Sequence, residues 1–237
     1  TPISNVYMDM KSNIRLCAGS RQYIYNHFTG KSFQLVPGIQ DNIVSITQAE
    51  GNKYYLASEH RLYEAQLVNE QLSSIKAIKL EDVYLTDYIY YNKPSKQLVV
   101  NTLLDKLFIY DTQSQQISNT GNTMRDIGIN KIIPSKKEKN VLLIATDGDG
   151  VYKLDLNRKT LVHFLQEDTR RPNKMNGSIV KDIYMDNANR IWNVIYPTGI
   201  TIYTEKYPAY EWFMHSANYT NSLINNCING IMEDSEG

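Results

Sequence analysis

The chain has 237 residues, with 25 Lys and Arg balanced by 25 Asp and Glu, so its formal net charge is zero. A neutral chain offers no electrostatic footing for nucleic acid or an anionic membrane surface, and no run of about 18 apolar residues is present to cross a bilayer. The aromatic content, 18 Tyr against 5 Phe and 2 Trp, favours strands, because a Tyr ring packs on a pleated face while its hydroxyl reaches water.

Read in chain order, the sequence repeats. The first predicted strand surrounds Val6, followed by apolar runs at 15–19, 23–25 and 32–35. The second unit opens at Ile46 and continues at 54–58, 62–65 and 75–78. The third opens at Ile89, with runs at 98–102, 107–111 and 116–118. The fourth opens at Ile132, with runs at 141–146, 151–155 and 161–164, and the fifth at Ile183, with runs at 191–194, 200–203 and 211–214. Ile231 opens a sixth, of which 228–237 supply the first strand and turn. The anchors are spaced 40, 43, 43, 51 and 48 residues apart, within the period of propeller blades.

Three residues past each anchor stand Asp9, Ala49, Asn92, Ser135, Asp186 and Asp234. Five of these six are turn-prone and the sixth, Ala49, is small, which suits a strand entering a tight turn. The apolar runs are short and bounded by Gly, Asn, Asp or Pro, and no stretch keeps a helical period for three turns. Four short strands with polar turns form one antiparallel meander, and that is a blade. The expected fold is therefore all-β: a β-propeller fragment of four-stranded antiparallel blades, about five with the start of a sixth. The blades span approximately 1–36, 41–80, 83–118, 126–165 and 178–215, with 224–237 as the incomplete sixth. Residues 166–178 read as a polar loop that accounts for the spacing of 51. Glu236 and Gly237 fall in a predicted turn, so the expectation is a piece of a longer chain. An open arc of blades exposes faces and edges, and self-association is expected of it.

Two copies of the repeat carry a resemblance. Ile183-Tyr-Met-Asp186-Asn-Ala-Asn189-Arg-Ile191-Trp192 leads to Gly199-Ile-Thr-Ile-Tyr203, and Leu142-Leu-Ile-Ala-Thr146-Asp-Gly-Asp-Gly150 leads to Val-Tyr-Lys-Leu-Asp155. Residues 222–237 look like the start of another. These resemble the regulator-propeller repeats in the periplasmic sensor region of bacterial hybrid two-component histidine kinases. The resemblance covers nearly the whole chain and weakens in the second and third units, where Ala49, Glu59-His60 and Leu103-Leu104 depart from the pattern. It implies a non-enzymatic sensor of glycan-derived oligosaccharides, periplasmic and homodimeric. It also implies attachment to the membrane only through a transmembrane helix absent from this chain.

The residues themselves offer little catalytic chemistry. Asp147-Gly-Asp-Gly150 lacks the remaining oxygen ligands of a calcium loop, whose twelfth position would be Arg158, so it reads as a turn. His27, His60, His163 and His215 have no metal spacing, and Cys17 and Cys227 form no framework pattern, so they read as unpaired thiols. No metal and no cofactor is expected. Asn176-Gly-Ser178 and Asn218-Tyr-Thr220 match the glycosylation sequon, and in a bacterial chain they read as chance. Neighbouring carboxylates at Asp147 and Asp149, Glu81 and Asp82, and Glu167 and Asp168 leave a polysaccharide hydrolase or lyase as the alternative, with a protein-interaction scaffold as a third reading. Tyr203, Tyr207, Tyr210, Trp212 and Phe213 form an aromatic group of the kind that stacks on sugars, but the favoured reading makes Trp212 and Phe213 fourth-strand core and Tyr207-Pro208 loop packing. In a propeller, the loops entering the first strands and those joining the second and third strands share one rim. On this reading the rim carries Arg21, His60, Arg61, Asp105, Lys106, Asp147, Asp149, Tyr196 and Thr198. Mixed charge and hydroxyls there suit a polar neutral ligand.

Overall fold

A computed structural model describes residues 5–8, 14–18, 21–26, 28–34, 39, 41–69, 71–80, 83–104, 106–121, 124, 126–167, 175–204, 211–215 and 222–233. The described elements are all strands, grouped into five four-stranded antiparallel sheets. The first sheet is β1 (Asn5–Met8), β2 (Ile14–Ala18), β3 (Arg21–Asn26) and β4 (Lys31–Gln34). The second is β5 (Ile43–Gln48), β6 (Lys53–Ser58), β7 (Leu62–Val68) and β8 (Gln71–Ile78). The third is β9 (Thr86–Asn92), β10 (Gln97–Thr102), β11 (Leu107–Asp111) and β12 (Ile117–Asn119). The fourth is β13 (Ile129–Pro134), β14 (Val141–Thr146), β15 (Val151–Asp155) and β16 (Thr160–Leu165). The fifth is β17 (Ile179–Met185), β18 (Ile191–Tyr196), β19 (Gly199–Tyr203) and β20 (Glu211–Phe213). Each is an up-and-down meander in chain order, as the period requires. Among the described residues no helix is long and apolar enough to cross a membrane.

The chain divides into two compact units, Thr1–Asp126 with three sheets and Ile127–Gly237 with two. In the first unit, β1 and β2 pack on β5, and β5 and β6 pack on β9. One apolar layer is made by Ile43, Ile46, Tyr54, Leu56, Tyr63, Ala65 and Leu72. The next lies between the second and third sheets, where Tyr55, Ala57 and Leu62 meet Ile89, Tyr91, Leu98, Val100, Phe108 and Tyr110. In the second unit, β13 and β14 pack on β17, and Leu143, Ala145 and Val151 meet Ile183, Met185, Ile191 and Ile195.

The second strands are covered on both faces, which is why they read as continuous apolar runs; every residue of β14 is buried. Fourth strands lie at the outer edges and are more exposed, as in β16, where the polar Thr160 and His163 and the apolar Val162 are all exposed. The polar residues after the anchors close the turns. Asp186 Oδ1 accepts the Arg190 amide at 2.8 Å, and Ser135 Oγ accepts the amides of Lys137 and Glu138 at 3.2 and 3.1 Å. Asp111 and Asp155, which end third strands, do the same for the amides two and three residues on, an Asx turn in each case.

Two expectations are corrected. The linker 166–178 is not wholly polar: Met175 is 1% exposed and joins the core between the fourth and fifth sheets, and Glu167 bridges to Met175. The sixth unit forms no strand among residues 222–233, because a strand is stabilised by a neighbour in its ladder and none of the described residues pairs with this segment. Of the two cysteines, Cys227 is free and exposed.

Candidate functional site

The turns joining second to third strands lie beside the segments that lead into first strands, as hydrogen bonds between them show. In the first unit the Thr86 amide donates to Glu59 O at 3.0 Å and the Asp126 amide to Leu103 O at 3.0 Å. In the second, the Gly150 amide donates to Ser178 O at 2.8 Å, the Asp147 amide to Gly128 O at 2.9 Å, and Asp147 bridges to Ile179. Within each unit these turns and entry segments are therefore neighbours.

On the first unit's rim, Ser58 and Arg61 close the β6–β7 turn. The Ser58 amide donates to Arg61 O at 2.8 Å, and the Arg61 amide to Ser58 Oγ at 3.0 Å. A recess of ≈ 220 Å³ opens here, lined by Asp41, Asn42, Ser58, Glu59, His60 and Arg61. Asp41 organises it. Its Oδ2 accepts Tyr63 Oη–H at 2.5 Å and Ser58 Oγ–H at 3.2 Å, and Arg61 Nη1 lies 3.7 Å away. The Tyr63 bond, aided by Ser58 and Arg61, holds the Asp41 carboxyl below the usual carboxylate range, while burial, and then that same bond, push the Tyr63 phenol up. His60 and Arg61 thus stand exposed over a fixed anionic floor. Lys106, half-buried on the β10–β11 turn, offers its carbonyl to Thr102 Oγ1 at 2.9 Å. Arg21 begins β3, and Asp105 lies outside the described residues.

The second unit's rim is more tightly tied. Asp147 Oδ1 is 2.7 Å from Lys181 Nζ. Asp149 Oδ2 lies 2.8 Å from His163 Nε2 and accepts the Tyr152 hydroxyl. Burial and this bond push the Tyr152 phenol up, and its ring lies 4.0 Å from that of His163 between centroids. Gly150 is demanded by its place: at φ +72 an added Cβ would stand 2.2 Å from Leu165 O. Gly199 repeats this at φ +114, 2.3 Å from Phe213 O. Tyr196 is 44% exposed, and Thr198 is half-buried on the β18–β19 turn. Among the described residues no cluster of three or more His, Cys, Asp or Glu is placed to hold a metal.

The rim positions were legible from strand register, but their partners were not. Asp41, Ser58, Lys181, Tyr152 and His163 lie on other elements; only Asp41, just before a predicted strand, carried a local signal. Of the aromatic group, Tyr203 packs edge-on against Phe164 with centroids 5.2 Å apart. Phe213 is not core, being 41% exposed and stacked on Trp192 at 6.1 Å; Tyr207 and Tyr210 lie outside the described residues. Trp192 belongs to a second recess, of ≈ 660 Å³, lined by Tyr184, Asp186, Arg190, Trp192, Ile231, Met232 and Glu233.

No family model matches the sequence, and no curated protein matches it. Solved structures do. The whole chain superposes on 30% of the extracellular domain of a hybrid two-component system from B. thetaiotaomicron, with a TM-score of 0.73 and 15% identity. In a second such system from that bacterium, 73% of the chain matches 24% of the extracellular domain, with a TM-score of 0.56 and 14% identity. Virginiamycin B lyase from Staphylococcus aureus matches over 90% of this chain and 70% of its own, with a TM-score of 0.66 and 11% identity.

The fold is a β-propeller. The chain spans less than a third of the first of those domains, and the propeller sheets it contributes are the five described above. The propeller rim carries no free carboxylate pair at Asp147 and Asp149, since a lysine and a histidine hold them.

Proposed function

We propose that this chain is part of the periplasmic ligand-sensing propeller region of a hybrid two-component receptor. The observation that supports it is the likeness of fold, over the whole chain, to the extracellular domain of such a system. The ligands proposed are glycan-derived oligosaccharides, met at the rim of the first unit by Arg21, His60, Arg61, Asp105 and Lys106, and at that of the second by Asp147, Asp149, Tyr196 and Thr198. Exposed His60 and Arg61 over the Asp41 carboxylate offer donors and an acceptor to sugar hydroxyls. The receptor acts as a homodimer, with blades bounded as the repeat sets them and the sixth opening at 224. Catalysis on polysaccharide is the less favoured reading, because hydrolysis uses two carboxylates facing one substrate, and Asp147 and Asp149 are each engaged elsewhere.

A thermal-shift screen of oligosaccharides from several glycan classes, run on the full extracytoplasmic region, tests this. Binding to the native state raises Tm. The expected result is a shift with one class, lost in Arg61→Ala. A flat response across the panel sinks the sugar reading, and turnover of any panel member sinks the non-enzymatic one.

A further inference from the structure

The zero net charge of the chain hides a local imbalance at the end of the second unit opposite its rim. Three turns meet there. The β13–β14 turn carries Lys136, Lys137 and Lys139, the β15–β16 turn Arg158 and Lys159, and the β17–β18 turn Arg190. Lys153 of β15 joins them, its Nζ 2.5 Å from Glu138 Oε1 in the first turn. Bonds tie the turns together. The Leu156 amide donates to Asn140 O at 3.0 Å, and Asn140 Nδ2 to Asn157 Oδ1 at 3.1 Å. Lys136 Nζ donates to Asn187 Oδ1 at 3.1 Å, and its amide to Met185 Sδ at 3.2 Å. A notch of ≈ 20 Å³ between them is lined in part by Ser135, Lys137, Glu138, Lys153 and Asn189. These cations therefore share one surface.

Three carboxylates stand among them, and each is engaged. Glu138 meets Lys153. Asp155 Oδ1 accepts the amides of Asn157 and Arg158 at 2.9 and 3.0 Å, and its Oδ2 lies 3.8 Å from Arg158 Nε. Asp186, 5% exposed, holds Arg190 Nε at 2.5 Å and Trp192 Nε1 at 3.0 Å. Seven cations against three carboxylates leave a charge of +4 on these described residues. Lys136, Lys139 and Lys159 are exposed and meet no carboxylate among the described residues. Lysines on the first strands differ. Lys181 Nζ is 2.7 Å from Asp147, and Lys131 Nζ is 2.5 Å from Asp182. Asp182, one residue before its anchor, also accepts the Ile231 amide at 3.3 Å; the uncharged Ser45, one residue before its own, accepts the Ile89 amide at 3.1 Å.

The chemistry of this surface selects among polyanions. Its rings are covered by cations: Lys136 Nζ lies 5.4 Å from the Tyr184 centroid and Lys153 Nζ 6.0 Å from that of Phe164. Bases stack on open rings, and an interfacial surface buries large apolar side chains in the bilayer; the three turns expose neither. Between the cations stand Ser135, Asn140, Asn157, Asn187 and Asn189, whose amides and hydroxyl both donate to and accept from sugar hydroxyls. We propose that this end of the second unit binds an acidic polysaccharide, one whose sugars carry sulfate or carboxylate groups. It is a second site, at the other end of the sheets from the rim, and does not depend on what the rim binds. Binding releases counterions condensed on the polymer, so it weakens with salt.

Fluorescence anisotropy of labelled dextran sulfate with the 237-residue chain tests this, with uncharged dextran of equal length as control. Expected is binding to dextran sulfate alone, weakening about tenfold or more between about 50 and 200 mM salt. The triple variant Lys136→Gln, Lys139→Gln, Lys159→Gln should bind about tenfold or more weakly, with a salt slope shallower by about 2–3. A second triple variant, Lys76→Gln, Lys79→Gln, Lys96→Gln, removes the same charge from exposed lysines of the first unit and should leave binding nearly unchanged, as should Arg61→Ala at the rim. No binding of dextran sulfate overturns the proposal, as does an equal loss in the two triple variants. A loss in Arg61→Ala as large as in the first triple variant moves the site to the rim and overturns it too. So does binding of equal strength to a single-stranded oligonucleotide or to phosphatidylglycerol vesicles, which makes the surface a contact for nucleic acid or membrane.

Discussion

The face between the second and third sheets and the outward face of the fifth sheet share one register but differ in what covers them. On the first, Ile89 and Tyr91 are backed by their own sheet, and Leu98, Val100 and Phe108 seal the layer. On the second, Ile231 and Glu233 have no ladder of their own among the described residues. A first strand is therefore placed by the side chains of the sheet before it, and its own sheet supplies the burial afterwards. Direction comes from the hydrogen bonds and most of the free energy from the apolar layer.

The largest effect that separates these faces is expected in the core. Leu98→Ala should destabilise the chain by about 2–5 kcal/mol in urea denaturation, and Met232→Ala should stay within about 0.5 kcal/mol. Equal losses would break the comparison. Next comes the seam. Asp182→Ala removes the acceptor shared by the Ile231 amide and by Lys131 Nζ at 2.5 Å, and should cost about 1–3 kcal/mol. Ser45→Ala should cost less, about 0.5–1.5 kcal/mol, because the sealed layer holds Ile89 in place without it. Hydrogen exchange should then quicken at Ile231 in the first variant far more than at Ile89 in the second.

The smallest effect is with pH. In Asp186, burial acts to raise the carboxyl, but the Trp192 and Arg190 bonds outweigh it and leave it below its ordinary value. Asp41 is lowered by Tyr63. A folded value below the unfolded one gives stability that is complete above about pH 4 and lost as pH falls through the folded value. Asp186→Asn and Asp41→Asn should each flatten that acid limb. The change at Asp41 should be below about 1 kcal/mol, since its carboxylate is partly solvated. An unaltered acid limb in both variants would remove these carboxylates from the account.

Much of the fold was written in the sequence. The anchors from Val6 to Ile183 all fall in first strands; Ile46, Ile89, Ile132 and Ile183 are buried there, which leaves little choice but an apolar, β-branched residue, while Val6 is exposed. Asp186 announced its turn because a side chain that closes a turn acts locally; Asp111 and Asp155, read only as the ends of apolar runs, close theirs in the same local way. Met175 was missed, since one apolar side chain in a polar linker carries no period. The strand expected at Ile231 does not form among residues 222–233, because a strand is a property of a pair. The rim was half legible. His60, Arg61, Asp147 and Asp149 follow from register, whereas the Lys181 partner of Asp147 is 34 residues away and has no signal in spacing.

The bonds from a residue beside one anchor to the following first strand span 44 residues in one case and 49 in another, and Asn130 reaches Val180 O across 50. The joint is indifferent to how much chain runs between its two ends. Insertions and deletions are thereby steered to the outer connections, where they can accumulate without altering how successive sheets meet.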